Sequence, residues 1–355
     1  MKKEILGLFV TDIHLTKDNG ELIKSLFSQI FDICEKRKIS KIFCGGDVFT
    51  NRIGQPLSCL DDFRSIVHRA TRKKIDLYII PGNHDKTDPD DEKSYLDFFY
   101  SPNYHLTRVG ELMTFGDEVA VAMIPYFPDE RWLKEYEKIE KLMKDVRKWK
   151  NLQEGATTIL MAHSGFDGVM NNDGSKVESI IKPSMFKEWT KVLIGHYHNA
   201  SKLSKNVIYT GSICQKDFGE TYEDKGVTII YTDGSLEHVS LDFPKYLKET
   251  LDVNDKERLR ELLEKYEGNT KDYIRFIFSG KKCDATKIDT AELSKKGIEA
   301  KFKADETEEA IMSSESETVM CYDKKSIQKD FVKFCSENSI KGKHLKYGLK
   351  LIKEL

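Results

Sequence analysis

Six short apolar runs pace residues 1–245 of the chain: Ile5–Val10, Lys41–Cys44, Leu77–Ile80, Val119–Ile124, Thr158–Ala162 and Val192–Ile194. Each is too short for a stable helix and is bounded by glycine, proline or charge, so each reads as a buried strand. Between them lie apolar residues at helical spacing. Leu22, Leu26, Ile30 and Ile33 form one stripe, and Trp132, Tyr136, Ile139, Met143, Val146 and Trp149 form a clearer one. The second stripe is read as core-facing and not as a base-stacking surface. Strand–helix alternation confines the chain to a layered α/β fold. Val207–Tyr209 adds a run, and Val227–Tyr231 and Leu236–Leu241 flank Asp233-Gly234, a hairpin signal.

Pro244 closes this first domain, residues 1–245. Beyond it Lys256–Tyr266 reads as helix, Tyr273–Phe278 as strand, Ile288–Lys295 as helix and Ile298–Lys303 as strand, a small αβαβ domain over 246–304. Residues 305–322 are polar and acidic and read as a mobile linker. Residues 323–355 read as a helix–loop–helix around Gly342, with Ile327, Phe331, Phe334 and Cys335 on one helix and Leu345, Leu349 and Ile352 on the other.

The full sequence has 57 Lys+Arg against 59 Asp+Glu, a net charge of −2, so any nucleic-acid surface must be a local patch. The 7 cysteines form no Cys-x-x-Cys pair, which fits a reducing compartment better than a disulfide framework. Cys34 and Cys44 sit in apolar runs and read as small core residues. No stretch approaches the roughly 20 apolar residues of a membrane span, and the first residues show no apolar leader. The expectation is a soluble cytoplasmic protein with no membrane partner.

Metal-ligating residue types follow the apolar runs. Asp12 and His14 follow the first, Asp47 the second, and Asn83 and His84 the third; His163 ends the fifth, and His196 and His198 follow the sixth. Open α/β sheets bind ligands outside the carboxyl ends of their strands, where the loops converge. Taken singly, Asp12 suits a helix or turn cap and Asn83 a turn; the ordered set is far harder to explain structurally. Asp12, His14 and His198 are assigned to one ion, His163 and His196 to a second, Asp47 to the bridge, and Asn83 is a further metal ligand whose neutral carbonyl oxygen tempers the charge of the site. Imidazole and carboxylate donors suit manganese first, with iron or zinc as alternatives. Two such ions about 4 Å apart polarise a phosphodiester and convert a bridging water to hydroxide. His84 follows the Asn ligand directly, so it is assigned to the substrate, as transition-state stabiliser or proton donor. Asp85 is assigned to orient His84 by accepting its other N–H. His68, His105, His238 and His344 fall outside the pattern.

The ordered motifs Asp12-x-His14, Gly46-Asp47, Gly82-Asn83-His84-Asp85, His163 and Gly195-His196-Tyr197-His198 resemble those of the calcineurin-like metallophosphoesterases. The resemblance covers roughly residues 4–243. It implies a sandwich of two mixed sheets flanked by helices, with a dinuclear site at the strand ends. Ile124-Pro125-Tyr126, Tyr209-Thr210-Gly211-Ser212, Phe218, Glu220 and Asp224-Lys225-Gly226 are similar to SbcD-type DNA nucleases, and the compact length to bacteriophage recombination endonuclease subunits. That likeness implies a DNA-contacting capping domain, a terminal helix pair that binds an SbcC-type, SMC-like coiled-coil ATPase, and a homodimer. Many such nucleases carry a second histidine three residues after the bridging aspartate, where this chain has Thr50. Arg52 is a candidate phosphate contact in its place.

From Lys324 to Leu355 nine lysines face Asp330, Glu337 and Glu354, a local excess of +6. Phe331, Phe334, Leu345 and Leu349 are the expected apolar anchor for the ATPase. Lys36–Lys41 and Arg69–Lys74 are candidate DNA patches, although helix C-termini favour basic residues in any case. The leading expectation is a nuclease subunit acting in DNA end processing, repair or recombination. Two alternatives stand beside it: a small-molecule phosphatase or cyclic-nucleotide phosphodiesterase, and an adaptor with a vestigial site that recruits an ATPase.

Overall fold

The computed structural model describes residues 3–149, 155–171, 175–220 and 224–304. Its first strands are β1 (Ile5–Val10), β2 (Lys41–Cys44), β3 (Asp76–Ile79), β4 (Tyr104–Leu106), β5 (Glu111–Phe115) and β6 (Val119–Ile124). Then come β7 (Thr157–His163), β8 (Lys191–Gly195), β9 (Ser201–Lys202), β10 (Val207–Tyr209), β11 (Gly226–Tyr231) and β12 (Leu236–Ser240). The last are β13 (Tyr246–Asp252), β14 (Tyr273–Gly280) and β15 (Ile298–Ala304). The α-helices are α1 (Gly20–Arg37), α2 (Leu57–Arg72), α3 (Asp129–Trp149), α4 (Lys256–Lys265) and α5 (Thr290–Lys295).

Two mixed six-stranded sheets dominate, in the orders β12-β11-β1-β2-β3-β4 and β5-β6-β7-β8-β10-β9. Their central strands are parallel, β1 to β4 in one and β6, β7, β8 and β10 in the other. Parallel strands covered on both faces carry apolar side chains at every position, and this accounts for the unbroken apolar runs. In β6, Val119, Val121 and Met123 pack with Phe9, Phe43 and Ile230 of the first sheet. The alternate residues Ala120, Ala122 and Ile124 pack with Trp132, Tyr136 and Ile139 of α3. On the far face of the first sheet, Leu8, Val10 and Ile42 pack against residues of α1 and α2, including Phe27, Phe31 and Phe63. The layering is therefore helix, sheet, sheet, helix, the two-sheet sandwich expected from the sequence.

The Trp132–Met143 stripe is buried as expected; the side chains of Val146 and Trp149 lie outside the described set. In α1 the buried face is Ile23, Leu26, Phe27, Ile30, Phe31 and Cys34, with Leu22 and Ile33 on its flanks. Helix α2 and strands β4, β5, β9 and β13 were not among the sequence expectations. β13, Tyr-Leu-Lys-Glu-Thr-Leu-Asp, buries only Leu251 and offers no apolar run to read. The expected αβαβ order is corrected accordingly: a strand precedes it, and β13, β14 and β15 form a three-stranded sheet.

The chain divides into two compact units. One comprises Met1–Glu249, Arg260–Phe276 and Thr290–Ala300 and contains both large sheets. The other comprises Thr250–Leu259, Ile277–Asp289 and Lys301–Leu355. Within it Leu251 and Phe278 are buried, and Val253 N–H donates to Ser279 O. The linker expected at 305–322, the helix pair at 323–355 and the anchor residues Phe331, Phe334, Leu345 and Leu349 lie outside the described residues. Among the described residues no helix is long and apolar enough to cross a membrane.

Candidate metal centre

The carboxyl ends of β1, β2 and β3 in one sheet and of β7 and β8 in the other meet at one cleft. The loops that follow them are laced by backbone hydrogen bonds. Asp12 N–H donates to Gly46 O (3.0 Å), His14 N–H to Asp47 O (2.9 Å) and Leu15 N–H to Val48 O (2.7 Å). Asp12, His14, Asp47 and His196 all have positive φ (55°, 51°, 52° and 103°). The other described non-glycine residues with positive φ are Lys38 and Lys74, at or just past helix ends. Left-handed backbone costs free energy in a residue with a Cβ, and it persists only where surrounding contacts enforce it. Here it turns each side chain back into the cleft. Close approach of the loops also demands glycine. A Cβ on Gly82 would lie 2.1 Å from Asp47 Oδ1, and one on Gly46 would lie 2.7 Å from Gly82 N.

The seven side chains assigned to metal in the sequence converge. Asp12, His14 and His198 form one group with donor atoms within 4.8 Å of one another, and Asp47, His163 and His196 form another. Asp47 Oδ2 lies 3.3 Å from His14 Nε2 and 3.4 Å from His163 Nε2, so it stands between the groups. Asn83 Oδ1 is 3.1 Å from His163 Nε2 and 2.8 Å from His196 Nδ1. Supporting contacts fix the rings and carboxylates. His163 Nδ1–H donates to Gly45 O (2.7 Å), which leaves Nε2 for the cleft. Asp12 accepts from Thr11 Oγ1 (2.9 Å) and from His196 N–H (3.1 Å). Asn19, at the start of α1, donates to His14 O at 3.0 Å and steadies that loop.

The donor set fits two divalent cations. His14 Nε2 is buried without a hydrogen-bond partner, a costly state that a bound cation relieves. Asp12 and Asp47 are both 1% exposed, yet they are held ionised. Burial would raise Asp12, but the neighbouring His14 and the charges of His163 and His198 hold it low. Burial likewise opposes ionisation of Asp47, and His163 and His14 override it. Burial would lower His163, but the Asp47 carboxylate lifts it to about 9. His196, buried and beside His163, falls to about 4. Buried carboxylates that draw a proton onto His163 offer the same field to a metal cation, which binds by displacing that proton, the usual electrostatics of a metal site.

The model of the calcineurin-like phosphoesterase family matches residues 8–200, a span that contains every one of these ligands. The chain belongs to the calcineurin-like phosphoesterases. A protein of Invertebrate iridescent virus 3 named as phosphoesterase 078R is 22% identical over 268 residues, covering 72% of each chain. A protein of Invertebrate iridescent virus 6 named as phosphoesterase 244L is 25% identical over 259 residues, 69% of this chain and 82% of the viral one.

In this phosphoesterase the structure corrects one assignment. Asp85 does not hold His84. Its buried carboxylate accepts from Phe49 N–H (3.0 Å) and Gly82 N–H (2.8 Å), so it pins the β2 and β3 loops to each other. Burial and the neighbouring Asp47 charge push it up to about 7. His84 is held by Thr50 instead: its Nδ1 lies 2.5 Å from the Thr50 carbonyl oxygen. The residue standing in place of the second histidine thus contributes through its backbone. His84 N–H donates to Asp47 Oδ1 (2.9 Å), and its ring packs edge-on against His14 with centroids 5.0 Å apart. A nitrogen of His84 also comes within reach of His14 and Asp47 donors. Arg52 is exposed beside it, and its charge adds to the burial that lowers His84.

Two residues of the phosphoesterase site had no role in the sequence reading. Glu220 Oε1 accepts from His198 Nδ1 (2.7 Å), and Glu220 Oε2 pairs with Lys225 Nζ (3.1 Å) and accepts from Ser212 Oγ (3.2 Å). Burial would raise Glu220, yet these partners hold it at about 2. Lys216 Nζ lies 2.7 Å from His198 Nε2. The signal for them was the Gly211-Ser212 station: Gly211 has φ +80°, and a Cβ there would meet His198 O at 2.9 Å. That glycine announces a loop packed on the last histidine motif, and Lys216 and Glu220 lie on it.

Proposed function

We propose that this phosphoesterase is a two-metal DNA nuclease, the nuclease subunit of a complex with an SbcC-type ATPase in DNA end processing, repair or recombination. The observation that carries the chemistry is the pair of ligand groups joined at Asp47, with His84 at their edge. Two divalent ions, manganese first, would sit in the Asp12–His14–His198 and Asp47–Asn83–His163–His196 groups; when bound they supply Lewis-acid polarisation of the phosphodiester and activation of water. His84 does the proton chemistry. Its Nδ1–H is committed to Thr50 O, so Nε2 is the atom left to give a proton to the departing oxygen, which it does from the doubly protonated imidazolium and ends as the neutral Nδ1–H ring. Burial lowers its pKa, so a proton placed there is readily surrendered.

Three things support DNA over a small phosphoester: the SbcD-like segments around Tyr126 and Glu220, the chain beyond the sandwich, and the basic tail. The unbroken ligand set counts against a vestigial adaptor. The full chain with Mn²⁺ should cleave end-labelled DNA, and comparison with circular DNA separates exonuclease from endonuclease action. Turnover of nucleotides or cyclic nucleotides with no action on DNA would overturn the nuclease reading. Truncation after Thr318 should abolish ATPase binding and spare hydrolysis; retained binding removes the tail from the account. What supports a homodimer is the groove along α2, where exposed Leu57, Phe98 and Tyr100 stand beside Leu60 and Val67, with Asp61, Arg64 and His68 among them. Light scattering should give a dimer, and a monomeric mass would refute it.

A further inference from the structure

The cleft that holds His14, His84, His198 and Lys216 has a volume of about 530 Å³, and one wall of it is aromatic. Tyr246, at the start of β13, and Tyr273, at the start of β14, both line it. Their rings stack with centroids 4.5 Å apart and an interplanar angle of 17°. Cross-strand aromatic pairs ordinarily serve the sheet alone. This pair differs in two respects. Tyr273 remains 51% exposed although one face of its ring is covered by Tyr246. The stack is also braced from behind: Phe218 meets Tyr246 edge-on at 5.0 Å, and the Arg275 guanidinium lies 3.7 Å from the centre of the Phe218 ring, held there by Glu299 at 2.7 Å. Gln215 accepts from Tyr246 N–H (3.0 Å) and so ties the pair to the loop that carries Lys216. A rigid, half-open aromatic surface next to an anion-attracting centre matches what a nucleobase requires when its own phosphate lies in the cleft.

We propose that Tyr273, backed by Tyr246, is a stacking platform for an unpaired nucleobase flanking the scissile phosphate. The proposal rests on the phosphodiesterase reading of the metal cleft. The base can come from a single strand or from a mononucleotide. The chemistry is shared, since every base offers a π-face, and stacking on one aromatic changes affinity by about tenfold.

The test uses the full chain, a fluorescent oligothymidylate, the same strand built from base-free tetrahydrofuran residues, and cyclic AMP. Tyr273→Ala should weaken oligothymidylate binding about tenfold and raise its KM by the same factor, with kcat unchanged within about twofold. Tyr273→Trp should restore both, and the base-free strand should bind wild type and Tyr273→Ala equally. Dependence on Tyr273 for cyclic AMP and not for the strand would assign the platform to a mononucleotide. Wild-type affinity of Tyr273→Ala for both base-bearing ligands, or an equal loss on the base-free strand, overturns the proposal. A wild-type chain that binds the strand through Tyr273 yet cleaves no DNA breaks the nuclease reading and leaves the platform standing. Cleavage indifferent to Tyr273 does the reverse.

Discussion

The floor of the cleft and its rim are built differently. On the floor, Asp12, Asp47, Asn83 and His163 are at most 2% exposed and are held by backbone hydrogen bonds between loops. All four strands that lead into Asp12, Asp47, Asn83 and His163 are interior strands with parallel neighbours, and four ligands, Asp12, His14, Asp47 and His196, sit in enforced left-handed backbone. On the rim, Arg52 and Tyr273 are exposed, and Lys216 is half-buried. A floor this rigid specifies the reaction, because metal chemistry tolerates little displacement of its donors. A rim this open specifies what is brought to it. Changes on the floor should therefore abolish turnover of every phosphoester, whereas changes on the rim should alter KM and substrate preference.

The largest effect is expected at Asp47. Asp47→Ala removes the carboxylate between the two ligand groups, and metal content should fall by at least one ion per chain with a loss on the order of 1000-fold or more in hydrolysis. Elemental analysis and a rate measurement with excess Mn²⁺ check this. A variant that keeps both ions and wild-type activity would erase the distinction between floor and rim.

Glu220→Gln comes next, since it weakens the support behind His198. Affinity for the ion at Asp12, His14 and His198 should fall about 10- to 100-fold, as measured by metal titration. The same variant carries a pH signature in the metal-free chain. The Glu220 carboxyl lies at about 2 in the fold against 4.5 for the free side chain, so its contribution to stability, roughly 3 kcal/mol, is fully present above the unfolded value. It is lost as pH falls from 4.5 toward 2. Urea unfolding with a chelator should show wild type well above Glu220→Gln at about pH 6, with the gap narrowed at about pH 3. An unchanged gap would remove the electrostatic role.

The smallest effect is expected on the rim. Arg52→Ala should raise KM for a DNA strand by about threefold, more at low salt than at high, with kcat unaltered. A fall in kcat with KM preserved would move Arg52 from the rim into the chemistry.

The floor was legible in the sequence because its determinants are local. Each ligand follows an apolar run within a few residues, and strands buried on both faces announce themselves as such runs. The rim was not. β13 and β14 bring Tyr246 and Tyr273 together across a helix, and β13 carries Lys248, Glu249 and Asp252 with no apolar run to mark it. Glu220 and Lys216 act on His198 from a loop that the sequence marked by likeness at Gly211, Phe218 and Glu220 but to which it gave no chemical role. Asp85 shows the limit inside a motif: adjacency to His84 suggested a pair, but that carboxylate is taken by Phe49 N–H from the loop after β2 and by Gly82 N–H from its own loop. Thr50 stood out only as a missing histidine; its contact with His84 was not legible because it comes from the carbonyl and not the side chain.

The central claim is a division of labour, with seven side chains for two ions and His84 for the substrate. Metal titration of His84→Gln beside its hydrolysis rate tests it most directly. The account predicts two ions per chain at wild-type affinity and a kcat lower by about 100- to 10,000-fold. Loss of an ion together with activity would show that His84 is a ligand, as its proximity to His14 and Asp47 permits, and would contradict the account.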